Sequence, residues 1–175
     1  MLFLIGLGVL LAAAAVLSLR NRSTIGKPRV TAGGADDVRA AVKRYRTRAA
    51  SGSHPCEDID DARLAAAGMM SAIAGMDGPL TKAQIDAIRV ECRAAFRVVQ
   101  READEIAAFG RWLAEEAEDP EDALSRLSPK VRALAPAEAQ RDLIRMLERV
   151  AAVEGGVSAE QRQAITTVRR RMANA

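Results

Sequence analysis

Three shortages mark this 175-residue chain: aromatic side chains make up 3 % of it, histidine occurs once and cysteine twice. A lone histidine, His54, cannot supply the paired imidazoles common in zinc sites, and no nucleophile motif stands ready to use it as a base. Cys56 and Cys92 are too few and too unpatterned for a disulfide framework or a zinc cluster, and they fit a reducing compartment. His54, Pro55 and Cys56 lie together, but no second Cys or His pair is in range, so a loop histidine and a packed thiol are expected. No Gly-x-x-x-x-Gly-Lys phosphate loop occurs, and no pair of carboxylates stands out from the general surface charge. The chain therefore reads as a non-enzymatic protein with no small-molecule substrate.

Runs of β-branched residues are also missing, while alanine and leucine dominate, which points to helices packed closely through small side chains. One long apolar run is present. From Met1 to Leu19 no side chain is charged. As a helix this stretch would reach about 27 Å, close to a hydrocarbon core of about 30 Å. A cleaved signal peptide would carry a basic segment before its apolar run, whereas here Arg20, Arg22, Lys27 and Arg29 follow it. That asymmetry predicts an uncleaved transmembrane anchor over residues 1–20, single-pass in the inner membrane, with the C-terminal domain in the cytoplasm.

The basic bias continues beyond the anchor. Nine Lys or Arg between Arg20 and Arg48, set against two acids, give +7 in a chain of net charge +3, so the remainder carries −4. Residues 21–35, with Pro28 and the Gly33-Gly34 pair, read as a flexible basic linker. Residues 36–50 read as a basic amphipathic juxtamembrane helix. Val38, Ala41, Val42, Tyr45 and Ala49 share one face, and Arg39, Lys43, Arg44 and Arg46 the other. Two roles stand open for this strip together with Arg20, Arg22, Lys27 and Arg29. It can bind anionic headgroups at about 1 kcal/mol per basic residue, or it can be a solvated face that only sets topology. Nucleic acid is not expected as a partner, because beyond Tyr45 the strip offers no aromatic ring for bases to stack on.

Apolar spacing predicts a helix over 57–76, with Ile59, Leu64, Met69, Ile73 and Met76 turned mostly inward. A second amphipathic helix follows in which Ile85, Ile88, Cys92, Phe96 and Val99 share the buried face and Lys82, Asp86, Arg89, Arg93 and Arg97 the wet one. A third, over 102–118, buries Ile106, Phe109 and Leu113. Asp119-Pro120 and Ser128-Pro129 each pair a capping residue with proline at the first helical position, predicting two short helices. Pro136 opens a longer helix with Leu143, Leu147, Val150 and Val153 inward, and residues 158–172 close the fold.

Two of the connections match each other. Shifting the numbering by 77 lays residues 146–165 on residues 69–88, with Met69/Met146, Ala74/Ala151, Gly78/Gly155, Gln84/Gln161, Ala87/Ala164 and Ile88/Ile165 identical. The matched columns carry physical roles. Gly78 and Gly155 stand where a chain leaving a helix turns left-handed. Thr81-x-x-Gln84 and Ser158-x-x-Gln161 are capping boxes that open the next helix. Each unit is a helix hairpin unable to bury its apolar face alone, so two of them with the intervening helices predict one compact all-α bundle over 56–173 with an internal two-fold repeat.

The doubled turn, Ala74-Gly75-Met76-Asp77-Gly78-Pro79-Leu80-Thr81 and Ala151-Ala152-Val153-Glu154-Gly155-Gly156-Val157-Ser158, resembles that of the tellurite-resistance TerB-like domain family. A related domain forms the N-terminal cytoplasmic part of membrane-anchored DjlA-type co-chaperones. The resemblance covers about 58–172, and the chain contains no J domain. It implies that the acids of the turn and of the position seven residues later can bind a divalent cation, here through Asp77, Gln84, Glu154 and Gln161. Each pair of this chain offers one carboxylate where such domains have two, which weakens a hard-cation site, while glutamine completes a capping box as well as glutamate does. A structural turn and a weak divalent-cation site are both open. Taken with the anchor, the resemblance implies a membrane-held, cytoplasm-facing adapter that binds an unidentified protein partner in envelope or metal stress of the tellurite type. The alternatives are a cation-binding regulatory domain or a co-chaperone-like scaffold docked on anionic lipid.

Overall fold

The computed structural model describes residues 35–173 apart from 51 and 53. Among the described residues there are seven α-helices and one 3₁₀ turn: α1 Ala35–Ala49, α2 Ala62–Ala74, α3 Lys82–Phe96, α4 Gln100–Glu115, α5 Pro120–Leu134, α6 Ala137–Ala151, the 3₁₀ turn Ala152–Glu154, and α7 Ala159–Ala173. The proposed anchor and the greater part of the linker lie outside the described residues. Within the described residues no helix is long and apolar enough to cross a membrane.

Helix α2 is the axis. Every residue from Leu64 to Ala74 is buried, as expected of a helix that is apolar on all sides. Its sequence, rich in alanine, lets neighbours come close, and α3, α4, α5, α6 and α7 all pack on it. The closest approach is to α4, where a Cβ placed on Gly110 would lie 2.4 Å from the backbone carbon of Ala67. Gly68, on the same helix, faces Leu127 and Leu113. Asp61 opens α2 by accepting from the backbone N–H of Arg63 at 2.8 Å. The Arg63 guanidinium then bridges Asp61 at 2.8 Å and the buried Glu102 of α4 at 3.0 Å. The Asp61 hydrogen bonds hold Arg63 still more firmly protonated than usual.

The face sharing proposed for α1 is present: Val38, Ala41 and Tyr45 are buried, and Val42 packs against the core. This face is spent on the bundle. The Tyr45 ring lies 5.6 Å from that of Phe109, and its hydroxyl donates to Asp60. Arg39 pairs with Glu105 at 2.6 Å, and the Arg46 guanidinium lies 5.3 Å above the Trp112 ring. The helix read as a separate juxtamembrane element is thus a packed member of the bundle.

Four boundaries depart from the sequence reading, the first being that the helix expected over 102–118 spans Gln100–Glu115. The helix expected over 57–76 begins at Ala62, because the preceding segment serves other partners: Asp60 takes the Tyr45 hydroxyl and Asp61 becomes the cap. Helix α3 ends at Phe96, and Arg97 takes a left-handed conformation at φ 55°, which turns Val99 outward, 66 % exposed. Ser128-Pro129 does not open a helix. It lies inside α5, with the Ser128 hydroxyl donating to the Leu124 carbonyl at 2.5 Å. Pro129 and Ser125 are both exposed, so the carbonyl that loses its N–H partner at Pro129 faces water.

The close approach of α4 to α2 yields a test. Gly110→Ala gains about 1 kcal/mol in helix propensity but overpacks a backbone contact at a cost of up to about 3 kcal/mol. A net loss of about 2 kcal/mol in urea unfolding is expected. An unchanged midpoint would show that the two helices do not meet there.

Candidate functional site

Both capped corners converge on the C-terminal end of α2. In the first, Thr81 Oγ1 accepts from Gln84 N–H at 3.2 Å while Gln84 Oε1 accepts from Thr81 N–H at 2.9 Å. In the second, Ser158 Oγ accepts from Gln161 N–H at 3.1 Å and Gln161 Oε1 from Ser158 N–H at 3.0 Å. Both boxes predicted from the sequence are closed. The two turn glycines carry positive φ, 139° at Gly78 and 97° at Gly155, a region open to glycine because it has no Cβ.

The remaining half of each amide goes to the central helix. Gln84 Nε2 donates to the Ala74 carbonyl at 3.2 Å, and Gln161 Nε2 donates to the Ile73 carbonyl at 3.0 Å across 88 residues of chain. These carbonyls are among the last of α2, where no helical N–H remains to serve them fully. Both glutamines are buried, so every polar atom of their side chains needs a partner, and every one has it. The corners are also tied to each other, since the Thr81 hydroxyl donates to the Glu154 carboxylate. Sequence reasoning placed Gln84 and Gln161 in their own caps and missed their second partner. The available signal was a glutamine at the third helical position of both units, whose –NH₂ a capping box leaves free.

Four side chains were candidates for holding a divalent cation, and the geometry bears on that fit. A hard cation needs several oxygen lone pairs aimed at one point. Gln84 and Gln161 instead give their oxygens to backbone N–H groups and aim –NH₂ at the carbonyls. Glu154 accepts from Thr81, and Asp77 is exposed on its turn. Among the described residues no group of three or more His, Cys, Asp and Glu stands close enough to hold a metal. As arranged here, the residues do not fit a divalent cation.

Beside the first corner a cleft of about 530 Å³ opens between the turn and α4, lined by Ala72, Gly75, Leu80, Ile85 and Ala114. Arg111 and Glu115 border it, 3.5 Å apart and both exposed. Ser71 also contributes to its wall, with its hydroxyl buried and unpartnered.

Of the basic residues proposed to meet lipid, Arg20, Arg22, Lys27 and Arg29 lie outside the described residues. Lys43 and Arg44 are exposed on α1, as is Arg48, whereas Arg39 and Arg46 are engaged with Glu105 and Trp112. His54 Nδ1 accepts from the Cys56 N–H at 3.3 Å, and its Nε2 lies 3.8 Å from Asp122. Both thiols are buried. Burial, with the Asp122 charge adding to it, pushes the Cys56 thiol up to about 12, and burial raises Cys92 as well.

The family model for tellurite resistance protein TerB matches residues 63–173. No curated protein matches the chain, and no solved structure does.

Two measurements follow from this geometry. Gln161→Ala leaves the Ile73 carbonyl and the Ser158 N–H short of partners and is expected to cost about 3 kcal/mol in chemical unfolding. A loss no larger than that of an exposed glutamine such as Gln163 would remove the amide bridge. The thiols set an alkaline limit. Because the folded state holds the Cys56 proton to about 12 against an ordinary 9.0, stability is intact below pH 9 and falls as pH rises from 9 towards 12. Both thiols should resist a disulfide reagent at pH 8 until the chain is unfolded, and fast modification of native protein would contradict their burial.

Proposed function

Since the chain belongs to the tellurite-resistance TerB family, we propose that it is a non-enzymatic adapter that holds this helical bundle at the cytoplasmic face of the inner membrane. Its apolar residues 2–19 supply the anchor, and the basic residues that follow hold the bundle on the inner side. There it presents a binding surface to a partner protein in envelope or tellurite-type metal stress. The family match supports the stress context, and the sequence pattern supports the anchor.

One observation carries the membrane-facing part of this reading. The apolar face of α1 is filled by Phe109 and its neighbours, so α1 cannot lie apolar side down in a bilayer. What it turns outward is Lys43, Arg44 and Arg48, on the helix that follows the basic linker after the segment proposed to cross the membrane. Such a face suits electrostatic docking on anionic headgroups without insertion.

Trp112 is the sole tryptophan, and it lies under Arg46 of this same helix. In the full chain reconstituted into vesicles, an anionic lipid with a quencher on its headgroup should quench Trp112. Lys43→Gln, Arg44→Gln and Arg48→Gln together remove about 3 kcal/mol of attraction and should restore the emission, as should high salt. Quenching unaffected by these changes would remove lipid docking. Protease added to spheroplasts should leave the bundle intact, and a mature periplasmic form lacking the apolar stretch would overturn the topology.

A further inference from the structure

We propose that in this chain the side-chain amides of Gln84 and Gln161 take the place of a divalent cation at the end of α2, so that the junction of the two hairpins is closed permanently and without metal. The inference rests on the mismatch described above and not on the adapter reading. The carbonyls of Ile73 and Ala74 are fixed, electron-rich oxygens at the negative end of a helix, side by side in sequence and directed at the two corners. Such oxygens call for positive charge, and two kinds can be supplied. With carboxylates at positions 84 and 161, carbonyl and carboxylate oxygens would face one another, and a cation or a proton has to come between them. With amides, each –NH₂ brings its own partial positive charge to a carbonyl at 3.2 and 3.0 Å.

Charge bookkeeping runs the same way. The corners retain Asp77, exposed, and Glu154, which takes a hydrogen bond from Thr81. Two carboxylates on separate turns, one of them already hydrogen-bonded, offer a hard cation little of the negative charge that holds it. The corner is therefore insensitive to divalent ions, and whatever this chain binds, it does not bind it by ordering these turns around a metal.

The test uses the full chain in detergent micelles. Thermal midpoints in EDTA, in millimolar Ca²⁺ and in millimolar Mg²⁺ are expected to coincide, and calorimetric titration with either ion should give a flat trace. Saturable heat, or a midpoint that drops in EDTA, would overturn the proposal. In the paired variant Gln84→Glu and Gln161→Glu the new carboxylates face the two carbonyls. Its midpoint should fall below the wild type in EDTA and climb with Ca²⁺ concentration, as binding to the folded state alone requires. A variant as stable as the wild type in EDTA, or one weakened and not restored by either ion, would show that amide and cation are not equivalent there. Should the pair prevent folding, the wild-type chelator and titration experiments decide the matter by themselves.

Discussion

A helix end buried in an apolar interior leaves carbonyls that water cannot reach, and the rest of this molecule is arranged around answering that need. Helix α2 runs through the middle of the bundle and stops there, between the two corners. The Gly75 N–H serves Ser71, and side chains from α3 and α7 serve Ala74 and Ile73. Each glutamine can reach a carbonyl because its other atoms are already fixed by a cap, which sets the amide's direction before packing begins to act. Local capping and tertiary closure are thus performed by the same two side chains.

Small residues make the arrangement geometrically possible. Alanine and glycine along α2 and Gly110 on α4 bring backbones into contact, so five helices can surround one. Ion pairs then decorate the outer layer. Glu91 with Arg149 links α3 to α6, and Glu148 with Arg169 links α6 to α7. These pairs are exposed on the arginine side and contribute little beyond register. The Arg63 bridge between Asp61 and the buried Glu102 is different, because one of its carboxylates has lost most of its water. Removing Arg63 would strand that charge.

Much of this was legible in the sequence. The all-helical class, both glycine corners, both capping boxes and the resemblance to TerB came from patterns that span a few residues each. What failed to show were decisions taken at long range. Nothing within residues 119–134 says that Ser128-Pro129 continues a helix, since that depends on the neighbouring turn being exposed enough to solvate a spare carbonyl. Val99 fits the apolar spacing of α3 and lies outside because Arg97 turns the chain first. Tyr45 carries no mark of its ties to Asp60 and Phe109. Among the candidate ligands, the residue types were visible, and the direction in which each amide points was not. The proposed anchor and the first four basic residues belong to the part of the chain beyond the described residues.

The partner of the Ile73 carbonyl lies 88 positions further along the chain. A nascent polypeptide emerging from the ribosome would already expose α2, α3 and their shared corner while that carbonyl had solvent and, from the chain itself, only the long contact from the Met76 N–H at 3.5 Å. The first hairpin can fold early, but its innermost end stays wet until the last described helix has been translated and swings in. The step that dries the centre thus waits for α7, and a chain stalled before Gln161 would remain open at its axis.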